Sequence, residues 1–136
     1  MDRESFMKKV EKTIESSPLE AVIEKDIKQK YQGENGKNGI YFLYNTENNI
    51  VYVGLAGNGK YTSFYHRMYG HGNSAHNKEP WFHNECKKYR FYRFPNAIYD
   101  DLKVIERLMI FKKGQPKYND IGKINYDFDD ICARIL

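Results

Sequence analysis

The sequence predicts an α+β fold, in which helices flank a small, mainly antiparallel sheet of three strands. Two short runs rich in β-branched and aromatic residues, Ile40–Tyr44 and Ile50–Val53, are separated by five turn-forming residues, which is typical of a β-hairpin. Segments before and after this hairpin have apolar residues at helical spacing. The length of 136 residues suits one domain with one main core.

The N-terminal 31 residues are predicted to be a helical extension. An apolar stripe from Phe6 to Ile14 repeats at helical spacing and indicates a first helix. The segment from Ser17 to Glu20 has the pattern of a helix start, with a capping serine and a glutamate at capping-box spacing. We therefore expect residues 3–31 to form a helical hairpin that serves either as a scaffold or as an oligomer contact.

The remaining residues, 32–136, are predicted to form the main domain together with an acidic C-terminal tail. After the hairpin the pattern alternates between helical and strand periodicity, and turn residues separate the segments. The expected elements are a helix over 62–69, a loop over 70–77, a helix over 80–89, a strand over 90–94, a helix over 97–113 and a last helix within 120–136.

The charge of the chain is concentrated in its middle. The net charge is +4, but residues 32–118 alone carry thirteen basic and seven acidic side chains. A positive field of this kind indicates a polyanionic partner, and the alternative is a solvated basic surface. Aromatic residues make up 15% of the chain, with twelve tyrosines, which suits contacts with bases or a well-filled core.

The length of the apolar runs, the charge of the N-terminal residues and the spacing of the cysteines predict the compartment and the redox state. No apolar run approaches the roughly 20 residues of a membrane span, and the first thirty residues are charged throughout. We therefore expect a soluble, intracellular, cytoplasmic protein. Cys86 and Cys132 lie far apart in the sequence, so two free thiols are expected.

Two tripeptides lie on the predicted hairpin, Gly39-Ile40-Tyr41 and Tyr52-Val53-Gly54. Strand pairing would let both phenols project from one face of the sheet, close to each other. For an arbitrary hairpin, two such tyrosines are cross-strand or core residues.

The tripeptide pair resembles the GIY-YIG nuclease family, with valine in place of isoleucine in the second tripeptide. The resemblance implies a metal-dependent phosphodiester hydrolase in which Tyr41 acts as the general base and Tyr52 positions water or phosphate. It also implies that Arg67, on the helix after the hairpin, contacts the scissile phosphate. His71 follows Arg67 by four residues, as a histidine does in the restriction-enzyme branch of the family.

Glu106 lies on the apolar face of the predicted 97–113 helix, which it shares with Leu102 and Met109. A carboxylate there is costly unless it is paired or binds a metal, and a buried salt bridge is the alternative. The resemblance makes Glu106 the ligand of one Mg²⁺ or Mn²⁺ ion that is otherwise held by water. Asn119 matches the family asparagine that follows a proline, and its amide would orient the phosphate or neighbouring residues.

A nucleic-acid-binding surface is expected where basic and aromatic residues alternate. Lys60 follows a glycine-rich loop, and Lys87, Lys88 and Arg90 are interleaved with aromatic residues. The same glycine-rich loop is rejected as a phosphate-binding P-loop because Tyr61 stands where serine or threonine would hold Mg²⁺.

A zinc site is rejected as well. His71, His76, His83 and Cys86 match no compact zinc-binding spacing.

The expected function is a metal-dependent endonuclease that cuts one strand of DNA per active site. RNA stays open as a substrate. A homodimer through the N-terminal helices would allow a double-strand break. The alternatives are a non-catalytic nucleic-acid-binding module on the same fold, and a structural or partner-binding protein that uses the helical hairpin.

Overall fold

The fold is built on a four-stranded antiparallel sheet with strand order β1-β4-β2-β3. A computed structural model describes residues 1–69, 80–114, 116–117, 119 and 128–135. The strands are β1 (Glu20–Ala21), β2 (Gly39–Tyr44), β3 (Ile50–Ala56) and β4 (Lys88–Arg93). The helices are α1 (Arg3–Glu15), α2 (Glu24–Lys30), α3 (Phe64–Tyr69), α4 (Pro80–Glu85), α5 (Tyr99–Lys112) and α6 (Phe128–Ile135), with a 3₁₀ turn at Gly33–Gly36.

The central strand β2 is buried along its whole length. It pairs with β3 along one edge and with β4 along the other, and packed side chains cover both of its faces. Because side chains alternate along a strand, Ile40 and Phe42 enter one core while Tyr41 and Leu43 enter the other. This explains why the strand reads as a continuous apolar run.

Helices cover both faces of the sheet. Helices α1, α5 and α6 pack on one face of the sheet, called the α5 face. The core on this face contains Phe6, Val10, Ile40, Phe42, Leu102, Ile105, Met109 and Ile131. Helices α2, α3 and α4 pack on the opposite face, called the α3 face, where the core contains Ile27, Tyr41, Leu43, Phe64, Met68 and Phe82. The α+β prediction is therefore confirmed, with a sheet between two helical layers.

The prediction of a helical hairpin over residues 3–31 is wrong. Glu20 and Ala21 form β1 at the edge of the sheet, and α2 begins at Glu24. The capping-box pattern is overridden because Glu20 accepts hydrogen bonds from Lys30 and Tyr89, both at 2.8 Å. The sheet consequently has four strands instead of three, and α1 and α2 lie on opposite faces.

The apolar stripe of α1 belongs to the protein's own core. Phe6, Val10 and Ile14 are fully buried against α5 and the sheet. The helix begins at an Asp2 cap, whose carboxylate accepts from the Ser5 amide at 2.8 Å. The scaffold interpretation therefore applies to the apolar stripe of α1. A homodimer contact through α1 would have to use its polar outer face.

The other elements largely follow the sequence patterns. The hairpin forms as predicted, although β3 extends beyond Val53 to Ala56. The long helix α5 is followed by Gly114 in a left-handed conformation, with φ of 73°. The loop predicted over residues 70–77 lies outside the described residues. Both cysteines are free thiols, and among the described helices none has the length and apolarity needed to cross a membrane.

Candidate active site

A pocket of about 220 Å³ lies at the free edge of β3. Helix α3 approaches β3 from one face of the sheet and α5 from the other. The pocket is lined by Tyr41, Tyr52, Leu55, Arg67, Tyr99, Lys103 and Glu106. One cavity thus brings together four side chains that were predicted to act together, namely Tyr41, Tyr52, Arg67 and Glu106.

The two tyrosines of the tripeptides are diagonal neighbours across the β2–β3 pair. Tyr41 lies opposite Gly54 and Tyr52 lies opposite Leu43 in the register. Their rings stack with centroids 6.1 Å apart and planes at 28°. Both rings lie on the α3 face, which confirms the prediction that the phenols share one side of the sheet.

The glycines of the two tripeptides leave space for aromatic rings. The Tyr41 ring lies over Gly54, where a β-carbon would overlap the ring. A β-carbon on Gly39 would lie 2.5 Å from Cζ of Phe91. Each glycine is therefore required by the close approach of a ring from a neighbouring strand, and Gly54 in particular seats one of the pocket tyrosines.

Burial raises the pKa of both phenols. The pKa of Tyr41, which is 1% exposed, is held well above its usual value by burial and by the neighbouring Tyr52, while the Arg67 charge acts against this. Burial and Glu106 also raise the pKa of Tyr52, although Arg67 and a hydrogen bond from Tyr41 lower it. Both phenols are consequently neutral at pH 7 in the isolated chain.

Arg67 provides positive charge to the pocket from α3. Its backbone N–H donates to the Ser63 carbonyl at 2.8 Å, which sets it in the first turn of the helix. Its Nε is buried and has no hydrogen-bond partner within the described ranges. A buried guanidinium nitrogen without a protein acceptor is costly, so this group is suited to bind an anion that enters the pocket.

Glu106 presents a carboxylate to the pocket from α5. Burial raises its pKa to about 7, although Arg67, Arg107 and a hydrogen bond from the Leu55 backbone act in the opposite direction. In the part of the chain that is described, no basic side chain forms an ion pair with it. The alternative of a buried salt bridge is therefore not found there.

The free edge of β3 is occupied by two side chains from the C-terminal half of the protein. Asn119 accepts from the Val53 N–H at 2.7 Å and donates to the Val53 carbonyl at 2.8 Å. Two residues further, the Leu55 backbone binds the Glu106 carboxylate. Asn119 does not line the pocket; it holds the strand segment that carries Tyr52.

The donor set of the pocket fits a hard divalent cation such as Mg²⁺ or Mn²⁺. Glu106 supplies a half-buried carboxylate that pairs with no basic side chain in the described part of the chain, and the phenols of Tyr41 and Tyr52 line the same pocket. Among the described residues, no group of three His, Cys, Asp or Glu side chains gathers in one place. An ion here would therefore rely on one carboxylate and several water molecules, which suits Mg²⁺.

Two lining residues were not anticipated from the sequence. Tyr99 and Lys103 precede Glu106 by seven and three residues on α5, and both border the pocket. The Lys103 ammonium lies 5.6 Å from the centre of the Tyr99 ring. The signal was available, because residues seven and three positions apart on a helix share one face.

The expected nucleic-acid-binding residues do not line this pocket. Lys88 donates to Asn48 at 2.8 Å, at the far end of the β2–β3 hairpin, and Lys87 lines a second cavity there. Arg90 donates to the carbonyls of Glu15 and Ser17 at the end of α1.

Lys60 is exposed in the loop before α3. His71 lies outside the described residues.

No protein-family model, no curated protein and no solved structure matches this chain.

Proposed function

We propose that this protein is a metal-dependent endonuclease of the GIY-YIG type that hydrolyses phosphodiester bonds in DNA. The observation that carries the proposal is the convergence of Tyr41, Tyr52, Arg67 and Glu106 around one pocket. These side chains come from one β-hairpin and from two helices, and they span residues 41 to 106 of the sequence. The antiparallel hairpin that carries both tripeptides supports a GIY-YIG-like fold.

Arg67 binds the phosphate that is attacked. Its buried Nε has no partner among the described protein groups, so a non-bridging phosphate oxygen can accept from it. A guanidinium in this position stabilises the additional negative charge of the pentavalent transition state more than that of the starting diester. Binding of the transition state in preference to the substrate is what accelerates the reaction.

Glu106 would hold the divalent cation. Its pKa of about 7 leaves the carboxylate about half protonated at neutral pH, and a bound cation would displace that proton. When bound, the cation supplies positive charge that stabilises the phosphorane and the leaving oxygen and makes nearby phenols more acidic.

Tyr41 and Tyr52 form the proton-accepting pair. The resemblance assigns the base to Tyr41, which is almost completely buried and hydrogen-bonds to Tyr52. Tyr52 is the more exposed of the two. With a cation bound, one phenol of the pair would lose its own proton to solvent, and the resulting phenolate, which the Arg67 charge favours, would accept the proton of the attacking water.

The test is cleavage of supercoiled plasmid and of single-stranded DNA, with Mg²⁺ or with EDTA. Wild type is compared with Glu106→Gln, which removes the charge and keeps the shape, and with Arg67→Lys, which keeps the charge and removes the fork. Glu47→Gln serves as the matched control, because Glu47 is exposed in the hairpin turn away from the pocket.

We expect metal-dependent nicking by wild type and by the control, and a loss on the order of 10²-fold or more in Arg67→Lys. Cleavage by Glu106→Gln should be undetectable. Cleavage that persists in EDTA or in Glu106→Gln would contradict the proposal. DNA binding without any cleavage by wild type would instead identify a non-catalytic nucleic-acid-binding module.

A further inference from the structure

Two exposed tyrosines stand beside the pocket. Tyr99, at the start of α5, lines the pocket and is 46% exposed. Tyr61, in the loop before α3, is 59% exposed, and its ring meets the edge of His66, the neighbour of Arg67. Aromatic rings exposed to this extent next to a site are suited to contact a ligand.

A lysine ammonium group lies over each of these rings. Lys103 Nζ lies 5.6 Å from the centre of the Tyr99 ring, and Lys60 Nζ lies 5.2 Å from the centre of the Tyr61 ring. An aromatic face beside a cation is the combination that single-stranded nucleic acids use, because the bases stack and the phosphates pair with the charge.

The loop between β3 and α3 contains one tyrosine–lysine pair and packs against the tyrosine of the other. The loop is closed by a hydrogen bond from the Gly57 N–H to the Thr62 carbonyl at 2.9 Å. The Tyr99 ring packs against the loop, since a β-carbon on Gly57 would lie 3.4 Å from Cδ2 of Tyr99. Tyr61 belongs to the same loop, so this loop links the two exposed tyrosines.

We propose that Tyr61 and Tyr99, with Lys60 and Lys103, form a binding rim for unpaired nucleotides that flank the bond to be cut. The inference rests on the proposed nuclease function and names its substrate class, which is single-stranded or locally unpaired DNA. Bases within a duplex are stacked on their neighbours on both sides, so their faces are closed to a tyrosine ring. Unpaired bases offer an open face to each ring.

The test measures binding without cleavage. The Glu106→Gln protein is titrated in EDTA into a fluorescein-labelled single strand of about 20 nucleotides and into a blunt duplex of the same sequence, and anisotropy is recorded. We expect the single strand to bind on the order of tenfold more tightly than the duplex. Tyr61→Ala and Tyr99→Ala should each weaken single-strand binding by roughly fivefold or more.

Phenylalanine at either position keeps the ring and should keep the affinity, which separates stacking from the hydroxyl group. Phe111→Ala is the matched control on the same helix. Phe111 is 54% exposed and has the Arg3 guanidinium 4.7 Å from its ring centre, but it lies about 18 Å along α5 from Tyr99. Its truncation should leave binding unchanged.

Equal affinity for duplex and single strand, or unchanged affinity in both alanine variants, would contradict the proposed binding rim. Circular dichroism melts verify that each variant is folded. Because this assay needs no cleavage, its failure is distinct from that of the nuclease proposal, which is judged by metal-dependent nicking by wild type.

Discussion

Asn119 brackets Val53 at the free edge of β3, with one hydrogen bond to its N–H at 2.7 Å and one to its carbonyl at 2.8 Å. A single carboxamide thus completes the hydrogen bonding of an edge-strand residue as a neighbouring strand would. Val53 lies between Tyr52 and Gly54, so this clamp fixes the segment that carries one pocket phenol and seats the other. In the proposed mechanism Asn119 is therefore a positioning residue.

Replacement of Asn119 by alanine should lower stability and activity together. Two hydrogen bonds are lost, and we expect the free energy of unfolding to fall by about 1–2 kcal/mol in chemical denaturation. The kcat of cleavage should fall more than KM rises, because Tyr52 loses its fixed position. Asn35→Ala, at an exposed position in the 3₁₀ turn, should change neither; unchanged kcat in Asn119→Ala would refute the positioning role.

The two pocket phenols should behave as one unit. Tyr41→Phe and Tyr52→Phe are each expected to lower the single-turnover cleavage rate by roughly 10²-fold or more, since either change interrupts the shared proton. The double variant should be about as slow as the slower single variant, because groups that act together are not additive. Tyr92→Phe, on the opposite face, is the control. Fully multiplicative losses would show that the phenols act independently.

Glu106 should make the protein less stable as pH rises. Its pKa of about 7 in the folded chain exceeds its usual value of 4.5, so between these values the unfolded chain binds fewer protons than the folded one. The contribution of protonated Glu106 to the free energy of unfolding is therefore fully present below pH 4.5. This contribution, about 3 kcal/mol, is lost as pH rises through 7. Glu106→Gln should melt higher than wild type at pH 8 in EDTA and show little difference at pH 5.

Binding of Mg²⁺ at Glu106 can be tested through the melting temperature of the protein. Added Mg²⁺ should raise the melting temperature of wild type at pH 8, because a ligand that binds only the folded state stabilises it. It should leave Glu106→Gln unchanged. Equal responses of the two proteins to Mg²⁺ would place the cation elsewhere.

Gly54 should be intolerant of a side chain because the Tyr41 ring occupies the space of its β-carbon. Gly54→Ala is expected to cost about 1–3 kcal/mol of unfolding free energy through overpacking, and to displace the phenol. The double variant Gly54→Ala/Tyr41→Leu removes the collision, so it should recover part of the stability and none of the activity. A Gly54→Ala protein as stable as wild type would contradict the close approach.

The glycines illustrate what could and could not be anticipated from the tripeptides. The pattern predicted two strands and two phenols on one face, which is confirmed by the stacked rings. The reason for Gly54 was not visible in the sequence, since it depends on a ring that packs across the strand pair. Likewise, Asn119 was expected to orient phosphate or neighbours, and only the structure identifies Val53 as its partner.

The sequence by itself determined the β2–β3 hairpin, the long helix α5 and the placement of Glu106 on its apolar side, because these follow from periodicity and turn chemistry within a few residues. Tertiary structure alone decided that Glu20 joins a strand and that α1 and α2 cover opposite faces. These features depend on partners distant in the chain, whose hydrogen bonds and burial outweigh the local preferences of each segment.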